Sequence, residues 1–312
     1  MTSSLPLGRP FRLGTRASPL AMAQVHLVAD ALMAAHGWSA DAIEIVPVTA
    51  SGDKVLDRPL AEIGGKALWT KELDQWLLAG EIDASVHSMK DVETIRPDAL
   101  EIAAMLLRAD VRDTLVGATS LTAIPAGGRL GTSSPRRSAQ IKRIRPDLEI
   151  VLFRGNVATR LGRLERGEAN ATLLATAGLV RLDMGNVGTP VNIAEMLPAP
   201  AQGAIGIEIR HDDPNARSIV GAINHKPTSQ CVKTERALLR GLGGTCHSPI
   251  AALAVVEGDA LRLRAEIISP DGTETVSEER LLPSEAAEAQ AEALGLAMLS
   301  RASADLRALF EP

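Results

Sequence analysis

The feature that most restricts how this chain can fold is a short phrase that it uses twice. Leu13-Gly14-Thr15-Arg16-Ala17-Ser18-Pro19 is answered, one residue shorter, by Leu130-Gly131-Thr132-Ser133-Ser134-Pro135. Each copy closes an apolar run and opens a helical stretch, with Leu20, Ala23, Gln24, Leu27 and Ala31 at helical spacing after the first. Serine before proline suits a helix start: the hydroxyl accepts from a free N–H, and proline takes the first helical position, where no N–H is required. A strand running into such a helix, met twice, implies two similar α/β lobes on parallel sheets, whose strand carboxyl ends are the usual ligand edge. Unpaired helix N–H groups beside arginine also suit an anion.

Further strands are expected at Ile43 to Val48, Ala84 to His87, Asp113 to Val116, Glu149 to Phe153 and Ala171 to Ala175. Thr70 reads as the cap of a helix carrying Leu73, Trp76 and Leu77, and Asn156 as the cap of a helix carrying Arg160. Arg16 falls in the turn after its strand. The proline-punctuated segment from Leu197 to Gly203 turns the chain back, so that Ile205 to Ile209 rejoins the first sheet. After helices at 215–223 and 228–240, strands at 251–256, 261–268 and 275–281 and one alanine-rich helix from Ser284 to about Leu309 make an α+β tail. The expected domains are 1–107 with 204–222, then 112–199, then 226–312.

Composition narrows the function. The chain has 312 residues, no Tyr, 3 Phe and 3 Trp, so aliphatic side chains build the core and no base-stacking platform is expected. A net charge of -5 argues against nonspecific nucleic-acid binding. Nothing resembles a signal peptide or a membrane span, which points to a cytoplasmic protein. Between Arg129 and Arg181, however, eleven basic residues face only Asp147, Glu149, Glu165 and Glu168. Arg136 and Arg137 fall in the first turn of a helix, where positive charge opposes the macrodipole and a bound anion would relieve it. Arg154 and Arg160 bracket another helix start, whereas Arg163 and Arg166 are expected on a solvated face. The pattern suggests a small polyanionic ligand.

Two further stretches could carry chemistry. Gly243-Gly244-Thr245-Cys246-His247-Ser248-Pro249 is a bent loop holding one of two cysteines, the other being Cys231. Two thiols make no disulfide framework, and no Cys/His spacing fits zinc. Cys246 could be a small buried hydrophobe or, with His247 as base, a nucleophile. His87-Ser88-Met89-Lys90-Asp91, just past a strand end, could handle protons or cap the sheet. A noncatalytic two-lobed anion-binding protein also fits the echo and the arginines.

Taken in order, Leu13-Gly-Thr-Arg-Ala-Ser-Pro-Leu, Val86-His-Ser-Met-Lys-Asp-Val, Gly131-Thr-Ser-Ser-Pro-Arg-Arg, Arg154-Gly-Asn-Val-Ala-Thr-Arg, Ala201-Gln-Gly-Ala-Ile-Gly-Ile-Glu and Gly243-Gly-Thr-Cys resemble the porphobilinogen deaminase (hydroxymethylbilane synthase) family across nearly the whole chain. The resemblance implies two lobes of type II periplasmic-binding-protein-like architecture, a C-terminal α+β domain, and a dipyrromethane cofactor joined by a thioether to Cys246. It implies a transferase that joins four porphobilinogen molecules head to tail, releases ammonia, and hydrolyses the product from the retained primer as hydroxymethylbilane. Asp91 and Lys90 become the catalytic pair. Cofactor-binding roles fall to Cys246, Ser18, Lys90, Asp91, Thr132, Ser134, Arg136, Arg137, Arg160 and Arg181, and substrate-binding roles to Arg16, Ser18, Gln24, Ser88, Arg154, Arg160 and Gln202. Ser133 and Asp53 are weaker candidates. No metal, nucleic acid or membrane is implied, and a monomer is expected. This chain departs from the family pattern at Trp69, Glu93, Ala201 and Thr245, where phenylalanine, proline, glycine and glycine are usual.

Overall fold

The computed structural model describes residues 7–48, 70–244 and 248–310. Within these, 7–48, 70–109 and 204–229 form one compact unit, and 110–203, 230–244 and 248–310 form another. The first unit opens with β1 (Phe11–Arg16), α1 (Pro19–His36), β2 (Ile43–Val48), α2 (Lys71–Leu78), β3 (Ala84–Ser88) and β4 (Leu100–Met105). The second begins with β5 (Asp113–Val116), β6 (Arg129–Gly131), α3 (Pro135–Ile144), β7 (Glu149–Val151), α4 (Val157–Glu165), β8 (Ala171–Ala175), α5 (Thr176–Arg181) and β9 (Thr189–Pro190). The chain returns to the first unit for β10 (Ile205–Arg210) and α6 (Pro214–Gly221). It continues through α7 (Lys226–Leu242) to β11 (Ile250–Glu257), β12 (Ala260–Ile268), β13 (Thr275–Pro283), α8 (Ala287–Arg301) and α9 (Ala304–Arg307).

The echoed phrase marks equivalent places in two sheets of one plan. Strand order is β2-β1-β3-β10-β4 in the first unit and β7-β6-β8-β5-β9 in the second. The strand carrying the phrase lies second, with a parallel neighbour on each side, and the fourth strand runs antiparallel to its neighbours. The sheets are therefore mixed rather than wholly parallel. The echo has a packing cause. Leu13 and Leu130 are both 0% exposed. A Cβ on Gly131 would lie 2.4 Å from the Phe153 ring, so that position needs glycine for close approach, while one on Gly14 would meet the tip of the Ile82 side chain, which would have to turn aside.

Apolar packing follows the sheets. Phe11, Leu13, Val25, Val28, Val86 and Ile207 meet in the first unit, and Leu115, Leu130, Ile141 and Leu173 in the second. Also in the second unit, β11, β12 and β13 form an antiparallel meander whose Ala252, Leu261, Leu263 and Ile267 pack on Leu238, Leu242 and Met298. Each fully buried Val, Leu, Ile, Phe or Met side chain among these contributes about 1.5–3 kcal/mol. β11 is covered on its other face as well, with Ala251 and Leu253 against Ile193 and Leu197.

Several local expectations change. The C-terminal helix is broken: α8 ends at Arg301, and Ser303 starts α9 by accepting from Leu306 N at 3.1 Å. Arg16 is the last residue of β1, not part of the turn. Thr70 precedes α2 without capping it, because its hydroxyl lies 3.0 Å from both carboxylate oxygens of Glu93. The expected strand ending at Phe153 stops at Val151. Ala201 holds φ 61, the left-handed region where glycine is at ease and other residues cost about 1–2 kcal/mol. Its N–H is fixed by the buried Glu235 carboxylate at 2.6 Å, whose other oxygen accepts from Ala254 N at 2.8 Å.

Replacing Gly131 with Ala forces the added methyl into the Phe153 ring and is expected to lower unfolding free energy by about 1–3 kcal/mol, read by urea denaturation. A variant as stable as the parent would show that this close approach is not what requires glycine.

Candidate functional site

In the first unit, β1 and β3 are adjacent and parallel, so Arg16 and Ser88 end their strands at the same sheet edge. Ser18 caps α1 by accepting from Ala21 N at 3.3 Å. Gln24, 2% exposed on α1, places its amide nitrogen 2.8 Å from Ser88 Oγ. Past Ser88 comes a 3-10 turn, Met89–Asp91. Its anchor is Met89, 1% exposed, bonded through its N–H to Ala204 O at 3.1 Å and packed so closely over Gly206 that no Cβ would fit there. With Met89 held inward, the following Lys90 is half-buried and Asp91 exposed. The turn past this strand end thus presents the Asp91 carboxyl to solvent, next in sequence to Lys90 and on the sheet edge where β1 ends with Arg16.

A buried ionic cluster supports this edge. His87 Nε2 lies 3.1 Å from Glu208 Oε2, and Arg96 binds both Glu208 oxygens at 2.8 Å while also reaching Asp74 and Glu93 at 2.5 Å. Burial alone would raise the Glu208 carboxyl, but His87 and Arg96 more than offset it and hold it down at about 2. Asp74 goes the other way: burial pushes it up, and Arg96 only partly compensates. Glu93, the departure after Lys-Asp-Val, is thereby part of the cluster.

In the second unit, β6 has β7 and β8 as parallel neighbours, so three carboxyl ends share an edge. β6 leads through Thr132, Ser133 and Ser134 into α3. Thr132 Oγ1 accepts from Ser134 N at 3.2 Å, and Ser134 Oγ accepts from Arg137 N at 3.4 Å. β7 leads through Phe153, Arg154 and Gly155 to α4, which Asn156 caps by accepting from Thr159 N at 2.9 Å. β8 leads to α5, whose last turn carries Arg181.

The arginines divide into two kinds. Arg136 and Arg137 are 3% and 5% exposed and converge on Asp113, with Arg136 Nη2 at 2.7 Å and Arg137 Nη2 at 2.6 Å. Burial would raise the Asp113 carboxyl, but the two guanidinium groups hold it well below the usual range. Gln202 Nε2 joins at 3.0 Å. The anion that first relieves the opening turn of α3 is therefore the protein's own. Arg154 is different. It is 8% exposed, yet its Nη1 is buried with no hydrogen-bond partner. Arg136 Nε is likewise buried and unsatisfied. Arg181 donates to Gly203 O at 2.7 Å, and burial pushes its guanidinium down to about 10. Arg160 Nε donates to Gly155 O at 3.0 Å. Arg163 and Arg166 turn to Glu168, and Arg163 also lies over Phe153, 4.3 Å from the ring centroid. A polycarboxylate fits this donor set, because it supplies the acceptors that buried guanidinium N–H groups lack.

Asp113, Arg96, Glu208 and Glu235 escape sequence reasoning because their partners lie many positions away; Asp113 is 23 residues from Arg136. Cys246, Thr245, His247, Asp53 and Trp69 lie outside the described residues. Cys231 is in the apolar core beside α8 and the C-terminal sheet, 7% exposed. No helix among the described residues is long and apolar enough to cross a membrane.

The described residues thus make an α/β protein with buried, incompletely paired arginines on the segments that follow its strand carboxyl ends. Residues 11–218 match the family model described as "Porphobilinogen deaminase, dipyromethane cofactor binding domain", and residues 229–302 match "Porphobilinogen deaminase, C-terminal domain". The chain is 54% identical over 307 residues to a porphobilinogen deaminase of Sphingopyxis alaskensis, with 96% of each covered. It is 51% identical over 299 residues to one of Paracoccus denitrificans, covering 95% of this chain and 96% of that one. Among solved structures, the second substrate binding domain of a putative amino acid ABC transporter from Streptococcus pneumoniae aligns at 13% identity over 68% of this chain and 90% of its own, with a TM-score of 0.41. The chain belongs to the porphobilinogen deaminase family.

Two outcomes are expected. Arg154→Met removes a buried charge with incomplete pairing, so the variant should be as stable as the parent or about 1–2 kcal/mol more stable while binding its polyanion more weakly. Thermal denaturation together with substrate titration reads both. For Glu208, a folded pKa of about 2, below its ordinary 4.5, means stability that is complete above the ordinary value and lost as pH falls through 4 toward 2. Glu208→Gln should therefore cost about 3 kcal/mol at pH 7, and the gap to the parent should close as unfolding is measured from pH 5 downward.

Proposed function

We infer that this chain condenses four porphobilinogen molecules head to tail, releases ammonia at each addition, and hydrolyses the linear product, hydroxymethylbilane, from a retained dipyrromethane primer bound through Cys246. The observation that carries this reading is the set of buried, under-compensated guanidinium groups at one sheet edge, above all Arg154 with its unsatisfied Nη1. Each pyrrole unit bears an acetate and a propionate, and guanidinium forks match paired carboxylate oxygens. Thr132, Ser134, Arg136, Arg137, Arg160 and Arg181, with Ser18, Lys90 and Asp91, would hold the cofactor. Arg16, Ser18, Gln24, Ser88, Arg154, Arg160 and Gln202 would hold substrate. When bound, the dipyrromethane supplies the pyrrole terminus from which the chain grows.

The chain's own residues supply the rest of the chemistry. Loss of ammonia needs a proton on the departing amine and a negative charge facing the cation left behind. The Asp91 carboxyl, exposed on a turn that Met89 fixes, can give that proton and then, ionised, stabilise the developing charge. Lys90 would hold a substrate carboxylate. A cytoplasmic monomer with its chain divided at 1–107 with 204–222, 112–199 and 226–312 completes the proposal.

Asp91→Asn should leave stability unchanged, since the side chain is exposed, and slow ammonia release by about a hundred-fold or more. Near-parental turnover would remove Asp91 from the mechanism. The mass of the intact protein tests the whole reading: an adduct of dipyrromethane size that maps to Cys246 is expected, and an unmodified thiol in active protein would overturn it.

A further inference from the structure

Arg136 is also held from further along its own face of α3. Gln140, 0% exposed, lies one turn beyond Arg136, and its Oε1 accepts from Arg136 Nη1 at 2.9 Å. Its Nε2 donates to Leu197 O at 3.0 Å and to Glu266 Oε1 at 2.5 Å. Glu266 stands on β12, 7% exposed, on the opposite face from the apolar Leu263, Ala265 and Ile267. Its second oxygen accepts from Arg143 Nη1 at 2.7 Å. At the other end of α3 the β12–β13 turn is pressed close: Gly272 holds φ 76, and a Cβ there would come within 2.3 Å of Arg143 N.

The order of donors and acceptors in this chain of contacts matters. Guanidinium can only donate and carboxylate can only accept, so the amide between them has one satisfactory orientation, with oxygen toward Arg136 and nitrogen toward Glu266. Arg136 then keeps Nη2 on Asp113 and Nη1 on Gln140 and Leu197 O, which fixes the plane of its guanidinium. Without the negative charge at 266, Arg136 and Leu197 O would still select the same amide orientation, but the charge-assisted hydrogen bond that holds the amide in place against Arg136 would be lost.

We propose that Glu266 is a positioning residue for the polyanion site, orienting Arg136 through the Gln140 amide. The proposal rests on the reading of Arg136 as part of the cofactor site, from which the substrate chain grows. It assigns to a strand of the C-terminal sheet a task at the end of a helix that the strand does not itself reach. The effect runs through one amide and needs no movement of either element.

The test uses four full-length proteins: the parent, Glu266→Gln, Gln140→Leu and the double variant. Arg143→Met serves as a control that removes the Arg143–Glu266 ion pair but leaves the Glu266–Gln140 contact intact. Two quantities are read: KM and kcat for porphobilinogen, and the rate at which protein freed of its adduct regains it on incubation with porphobilinogen, followed by intact mass. Glu266→Gln should raise KM and slow adduct gain by roughly ten-fold with kcat little changed, and should add nothing further in the Gln140→Leu background. Arg143→Met should leave both quantities at the parental level. The proposal is overturned if Glu266→Gln lowers thermal stability alone, if its effect adds fully to that of Gln140→Leu, or if Arg143→Met reproduces it. Absence of both synthesis and adduct in the parent would instead overturn the functional reading on which the proposal stands.

Discussion

The second unit depends on one buried carboxylate. Asp113 is 1% exposed and binds two adjacent arginines. Neither partner could be buried there without it: an isolated charge in the interior costs several kcal/mol, and two like charges on neighbouring residues cost more. Asp113 opens β5, and Arg136 and Arg137 open α3, so the ion triad also locks a strand start to a helix start on the ligand edge. Leu173 O and Leu197 O take donors that Asp113 cannot. The triad carries a net positive charge. That surplus, with Arg154 and Arg181 on segments that follow strands of the same sheet, is what the proposed polyanion site rests on.

The first unit uses the opposite sign. Arg96 is the buried cation there, and Glu208, Asp74 and Glu93 surround it. Both clusters lie behind strand ends, and in both the desolvation of one sign is offset by fixed partners of the other. The sequence departure at Glu93 is intelligible in this light, because a proline there could not have reached Arg96. Ala201 is a departure of another kind: it tolerates a left-handed backbone because Glu235 holds the N–H, not because the residue prefers it.

Local rules made much of this legible. The Ser-Pro pairs placed α1 and α3 to the residue, since cap and first-turn chemistry is a matter of two or three neighbours. The return of Ile205 to Ile209 to the first sheet followed from the proline-rich turn and an apolar run. What stayed hidden was long-range. No spacing announces that Asp113 waits for Arg136, that Thr70 turns from its helix to Glu93, or that β4 and the two-residue β9 exist, because these depend on partners brought together only by the fold. Arginine-rich composition pointed to the anion edge, but it could not separate Arg136 and Arg137, which meet an internal carboxylate, from Arg154, which keeps an unsatisfied donor.

The placement of β10 fixes an order of events during synthesis. It lies between β3 and β4, so the first sheet is split until residues 205–210 exist, although its other four strands are complete by Met105. The second five-stranded sheet needs nothing beyond Pro190. On a growing chain, of the two five-stranded sheets the one that begins first is therefore the one that closes last, and its β4 must wait without a neighbour for about a hundred residues to be made.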